Sequence, residues 1–395
     1  MPASTAVAIE IPRGAVVETL VQRNYSVFHL NPKQLDRFRD RHNPGGAKDD
    51  PLDSFVLATS LRTDMALFRP VPVDTPDLVH LRELNRTHDE LRKDHVRHIC
   101  RLGELLSGYF PQMRELCPRL NQRFVWDLLE AAPTPADAAK LDAATVQGIL
   151  KARQVRKLDA SGVLAKLRAE PLVLAEGAPA ALARHALVVV EQLRVIHRLR
   201  EQTVRQMREV LGRLRGQRPR PDKPSDAEIV ESLPGVGPVI AAAILSEAAD
   251  AVARRDSHAL RAYAGTAPIT RQSGKHRSVG MRRSCQERLR NAFYFQALGS
   301  LRGDPACKRH YASLRAAGHS HPRALRGVAD RMVAVLVAML RAGTLYDITR
   351  RKAALPGDTG IDPGSAAHGP GPDGIEAEVM DQAEVMDQAE DIDND

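Results

Sequence analysis

The first apolar stretch, Ala6–Val7–Ala8–Ile9, shows no polar alternation, which is the pattern of a short strand covered on both faces. Gly14 follows, and Ala15–Arg23 carries helical spacing. Tyr25–Leu30 is a second strand-like run, ending at Asn31–Pro32. A charged, glycine-containing loop, His42–Lys48, leads to Asp50–Pro51, after which Leu52–Leu61 is again helical in period. Residues 1–70 therefore predict strand, helix, strand, helix, a partial α/β unit whose two visible strands are too few to close a sheet.

From about Asp77 to Arg218 the pattern is almost wholly helical. The long amphipathic stretches Leu81–Leu106 and Ala180–Leu214 are separated by the polar, proline-containing region Ala131–Ala139. The three- and four-residue spacing of Val189, Leu193, Ile196 and Leu199 predicts an antiparallel hairpin or a coiled coil, and a solvated helix pair with one apolar seam is the plainer account. Gln217–Pro224, rich in Arg, Pro and Lys, is a linker. A compact helical region follows over 225–347. Residues 356–395 have the composition of a disordered acidic tail, with the six-residue unit Ala377–Gln382 repeated at Ala383–Gln388. The fold class is mainly α with a partial α/β.

Charge sharpens this outline. The formal net charge is +8, but twelve acids and no Lys or Arg follow Lys352, so the preceding part carries +20. Such an excess suits a polyanion-binding body. Cys100, Cys117, Cys285 and Cys307 form no CxxC pair, which argues against a zinc ribbon or disulfide framework and for a reducing compartment. No apolar run reaches the roughly 18 residues of a membrane span, and the N-terminus lacks the pattern of a secretory leader. A cytoplasmic protein without membrane partners is expected.

Three constellations could carry chemistry. Glu10 closes the first strand, and Asp50 and Asp53 share one face of a helix start; carboxylates so gathered suit Mg²⁺. The same spacing is also that of an Asp50 N-cap, Pro51 at the first helical position and Asp53 as the acid of a capping box. Leu233–Pro234–Gly235–Val236–Gly237–Pro238 before an apolar helix has the form of a helix-hairpin-helix, exposing amides of Gly235 and Gly237 to a phosphate, or of a tight turn whose glycines serve packing. Ser273 lies between two glycines, Gly265 and Gly274, at the head of a segment, Arg271–Arg290, with seven Lys or Arg against one acid, Glu287. Arg271, Lys275, Arg277, Arg282 and Arg283 are phosphate-binding candidates, and Ser273 is either a nucleophile or one more phosphate contact, like Ser278 and Ser284. His276, His319 and His321 are spaced too loosely for ligands.

In order and spacing, these pieces resemble the DEDD transposases of the insertion-sequence one-ten type. The resemblance covers most of residues 6–347. It rests on Val7–Ala8–Ile9–Glu10, Asn31–Pro32, Lys48-x-Asp50-x-x-Asp53, Leu233–Pro238, Tyr263–Pro268, Arg271–Lys275 and Leu345–Tyr346–Asp347. It implies a RuvC-like (ribonuclease H-like) domain over 1–70, a helical or coiled-coil dimerisation region over 71–220 and a C-terminal transposase domain over 225–347. By motif, Glu10, Asp50 and Asp53 match three of four Mg²⁺-binding acids, and Ser273 matches a serine that attacks the DNA backbone. A structured guide RNA, target and donor DNA, and a homo-oligomer, with the acids of one protomer beside the serine of another, are the partners it implies. The fourth acid belongs to a preceding strand that no segment here supplies, so a truncated RuvC-like unit is expected. A metal-dependent junction nuclease and a non-catalytic nucleic-acid-binding remnant are the alternatives.

Overall fold

The computed structural model describes residues 5–12, 14–30, 32–42, 49–71, 74–274 and 276–349. The chain divides into two units at Pro76 and Asp77. In the first, β1 (Ala6–Ile9) pairs in parallel with β2 (Ser26–His29), Ala6 opposite Ser26 and Ile9 opposite His29. The crossover is α1 (Ala15–Gln22), entered through Gly14 at φ 104°, a conformation that favours glycine. Next come α2 (Pro32–Asp40) and α3 (Asp50–Asp64), and the two-residue β3 (Arg69–Pro70) pairs antiparallel with β2, giving the order β1-β2-β3. Leu30, Leu35, Val56, Leu61 and Phe68 are buried together, with Phe28 and Phe38 against them.

Two of these elements go beyond the sequence reading. Helix α2 places its few apolar residues, Leu35 and Phe38, in a strongly polar segment, so its periodicity is faint. Strand β3 is very short and contains Pro70, which is admissible because the strand lies at a sheet edge.

The second unit is built on two long helices, α4 (Pro76–Tyr109) and α10 (Ala178–Gly216). Their direction is fixed by side-chain contacts: Arg213 Nε donates to Asp77 Oδ1 at 2.9 Å, and Arg101 Nη2 lies 2.9 Å from His185 Nε2. The pair is therefore antiparallel. At one end, α5 (Pro111–Leu116), α6 (Arg123–Ala131), α7 (Pro135–Lys140), α8 (Ala143–Ala152) and α9 (Ala160–Leu167) close a core containing Leu102, Leu106, Phe110, Trp126, Val189 and Leu193. The region expected to be a polar separator, Ala131–Ala139, thus holds a helix, α7, opened by a capping box between Thr134 and Asp137.

At the other end lies a second core. Leu81, Leu84, Met207 and Leu211 of the long helices pack with α11 (Asp226–Glu231), α12 (Pro238–Glu247), α13 (Ala249–Ala253), α14 (Ser257–Tyr263), α15 (Glu287–Gly303), α16 (Pro305–Ala316) and α17 (His321–Ala342). The ends of α4 and α10 thus belong to the same core as residues 225–347. Between the cores the helix seam turns polar: Asn85, His88, Arg92 and His95 of α4 and Thr203 of α10 are buried. Segment 217–224 is irregular, as expected of a linker. The region expected to be wholly helical contains a β-hairpin, β4 (Ile269–Ser273) with β5 (His276–Gly280). The predicted tail, 356–395, lies outside the described residues.

Candidate active site and nucleic-acid interface

In the first unit, Glu10 directly follows β1 and is exposed. The Ile9 carbonyl accepts from the Leu30 amide at 2.9 Å, so Glu10 lies just past the last pair of the β1–β2 ladder. Helix α3 is capped by Asp49, whose carboxylate accepts from Leu52 N at 2.7 Å. The cap is thus Asp49, one residue earlier than the spacing suggested; Asp50 is the first helical residue and is exposed. Asp53 lies one turn on, half-buried on the side of the helix that carries Val56 and Ser60.

Asp53 is not free. Arg39 Nε donates to Asp53 Oδ1 at 2.7 Å, Nη2 reaches the same oxygen at 2.6 Å, and Nη1 donates to Asp36 Oδ1 at 2.6 Å. Hydrogen bonds to Asp53 and then Asp36 hold the Arg39 guanidinium above its ordinary pKa, so it stays charged. Sequence reading missed Arg39 because nothing in the spacing links it to position 53.

In the second unit, β4 and β5 form a two-stranded ribbon. Register pairs Ile269 with Gly280, Arg271 with Ser278 and Ser273 with His276, closed by Gly274 at φ 55°. Every residue of β5 and all of β4 except half-buried Ile269 are exposed. The base is rigid. Gly265, at φ 66°, abuts Cys285, since a Cβ there would lie 2.8 Å from its Sγ. Gln286 N donates to Tyr263 O at 2.8 Å, and Arg261 forks onto Asp330 of α17 with both bonds at 2.6 Å.

Among the described residues, no carboxylate pairs with Arg271, Arg277, Arg282 or Arg283. Arg288 and Arg290, further along the same run, are tied to Asp89 and Glu247 and to Glu287. The cations nearest Ser273 are therefore the ones left for an anion. Arg282 is half-buried and Arg283 exposed, while Lys275 lies outside the described residues. Gly235 has φ 78° and sits so close to α15 that a Cβ would lie 2.5 Å from Gln296 O and 2.6 Å from Ser300 N. Packing alone accounts for that glycine. Gly237 is the N-cap of α12, where no side chain caps the open amides.

Comparison with known proteins decides the family. Residues 3–111 match the model of the DEDD transposase of IS110, and residues 227–312 match the model described as "Transposase IS116/IS110/IS902 family". The IS117 mini-circle protein of Streptomyces coelicolor is 31% identical over 360 residues, covering 88% of this chain and 84% of that one. The chain belongs to the IS116/IS110/IS902 transposase family. The IS116 44.8 kDa protein of Streptomyces clavuligerus is 29% identical over 343 residues, 83% of this chain and 79% of that one. The y4uE protein of Sinorhizobium fredii is 44% identical over 154 residues, 39% of this chain and 43% of its own length.

As a transposase of this family the chain acts on DNA, and its DEDD domain implies a RuvC-like, divalent-metal-dependent, nuclease-like site. The residues present do not by themselves make that site. Among the described residues no three His, Cys, Asp or Glu are grouped to hold a metal, and the guanidinium of Arg39 already satisfies Asp53. Nor, among them, is any helix long and apolar enough to cross a membrane.

Proposed function

We propose that this transposase breaks and rejoins DNA through Ser273, whose Oγ attacks a backbone phosphorus and forms a phosphoserine link while a sugar hydroxyl leaves. What carries the proposal is the placement of Ser273 at the exposed end of a ribbon flanked by arginines that, among the described residues, no carboxylate neutralises. Arg271 and Arg277 on the ribbon, Arg282 and Arg283 beyond it, and Lys275, which lies outside the described residues, are the phosphate-binding set. The uncapped start of α12, with Gly235 and Gly237 before it, is a second place for a DNA phosphate, as in a helix-hairpin-helix.

Glu10, Asp50 and Asp53 are the acids we assign to the metal half of the reaction; they would hold Mg²⁺ only in an arrangement that gathers them and frees Asp53 from Arg39, since as they stand they are not grouped around an ion. A structured RNA from the element choosing the target by base pairing, and assembly into a homo-oligomer through the long helix pair, complete the reading. The four cysteines are unbridged, which suits work in the cytoplasm. The test is a covalent protein–DNA adduct. Wild-type protein should yield one that survives denaturation, and Ser273→Ala should yield none; cleavage retained by that variant would make the enzyme a hydrolytic junction nuclease instead.

A further inference from the structure

We propose that His276 is the general base for Ser273, taking the proton from its Oγ as that oxygen attacks phosphorus. This rests on the reading of Ser273 as nucleophile and names its partner.

The argument is one of register. In an antiparallel ladder, directly opposed residues project to the same face with their Cβ atoms about 5 Å apart, and alternate residues share that face. Ser273 is opposed to His276, and Arg271 to Ser278. One face of the ribbon therefore carries Ser273, His276, Arg271 and Ser278, while Gln272, Arg277, Thr270 and Val279 lie on the other. A hydroxyl, an imidazole and a guanidinium thus meet on a single surface within two rungs of its end. Both strands are exposed there, so a DNA strand can approach that face. Among the described residues no side-chain hydrogen bond joins Ser273 and His276 at rest. Catalytic pairs commonly tighten only around substrate.

Imidazole is suited to the role because its ordinary pKa lies near neutrality, so it can accept a proton and return it. Arg271 binds the non-bridging phosphate oxygens from the same face, orienting phosphorus toward Oγ. In the forward step the Oγ–P bond forms and one P–O ester bond to a sugar breaks. The Oγ proton passes to the His276 ring. The departing sugar oxygen keeps the bond pair and takes a proton from solvent, leaving a free hydroxyl. Rejoining is the reverse: a sugar hydroxyl attacks the phosphoserine, and Oγ reclaims its proton from the imidazolium. One ester replaces another, so no oxidant, reductant or nucleotide hydrolysis is needed. Among the described residues, the charged groups beside the ring on the ribbon are Arg271, on the other strand and the same face, and Arg277, adjacent but on the opposite face; Lys275, its neighbour in sequence, lies outside the described residues.

The experiment uses the full chain with its copurifying RNA and a 5′-labelled duplex carrying the element's own end joined to its flanking DNA, nicked beside the cleavage point so that the released piece diffuses away. Adduct formation is timed from pH 5.5 to 8.5. The wild-type rate should rise with pH across this range. His276→Gln should be slower by on the order of a hundredfold at pH 7.5 and should lack that rise, with DNA affinity kept; free imidazole should restore part of the rate to His276→Gly. A wild-type rate and profile in His276→Gln would overturn the assignment while leaving Ser273 as nucleophile. So would slowing matched by an equal loss of affinity without imidazole rescue, which marks a phosphate contact. An adduct formed by Ser273→Ala would instead remove the serine reading itself.

Discussion

Single residues decide much here by what they touch. Arg39 illustrates this, because its guanidinium occupies Asp53 in the way a cation would. Arg39→Gln should therefore bind Mn²⁺ more tightly than wild-type, and adding Asp53→Asn should abolish the gain. Water-proton relaxation of bound Mn²⁺ checks this, and equal affinities in wild-type and Arg39→Gln would refute it. Gly235 is constrained twice, by a positive φ and by the backbone of α15. Gly235→Ala should cost about 2–4 kcal/mol in urea unfolding, combining the left-handed penalty with overpacking. Burial, with Arg200 adding to it, pushes both His88 and His95 down to about 3, from an ordinary value near 6.5. The unfolded chain then binds the extra protons between those limits, so this part of the stability is complete above about pH 6.5 and is lost as pH falls toward 3. His88→Gln should flatten the dependence by about 1.4 kcal/mol per pH unit within that window, read from urea midpoints at pH 5 and 6.

At the scale of elements, the ribbon and the helix pair behave oppositely. The ribbon contributes almost nothing to either core, since its residues are exposed. Replacing residues 270–279 by a short Gly-Ser linker should leave the melting temperature within a few degrees of wild-type yet abolish the DNA adduct; calorimetry and the adduct assay measure the two halves separately. The long helices were legible in the sequence because their apolar positions recur over many turns, and β1, α1 and β2 because apolar runs alternate with Gly14 and Asn31–Pro32. The ribbon was not, although Gly274 and Lys275 between two short runs are a hairpin signal. Its strands bury no face, so the alternation that marks a strand is missing. Motifs singled out Ser273, Arg271 and the three acids; folding puts Ser273 and Arg271 on one face of the ribbon but, among the described residues, does not group the acids as a metal site. His276 was not singled out, because its significance is a cross-strand partner, which spacing along the chain does not display. Arg39 stayed hidden for the same reason: a partner fourteen residues away is fixed only by folding.

Taken whole, the second unit places an apolar core at each end of one antiparallel helix pair, with a polar seam between. The only tryptophan, Trp126, is buried in one of these cores and donates to Leu120 O at 2.8 Å. Its fluorescence should follow that core alone, so the urea transition by fluorescence should not coincide with that by circular dichroism; superimposable curves would mean the cores melt as one. The positive charge ahead of the tail predicts DNA affinity that falls steeply with salt, and Arg271→Ala and Arg277→Ala should each lower the slope of log K against log salt by about one. The lone ribbon has a last consequence. Its hydroxyl is exposed, where a neutral alcohol has no advantage over the water surrounding it, so under the proposed chemistry a solitary molecule colliding with chromosomal DNA should leave it intact. On that proposal attack should wait until an assembled complex dehydrates the fingertip, which would tie the timing of breakage to the presence of every strand that must be rejoined.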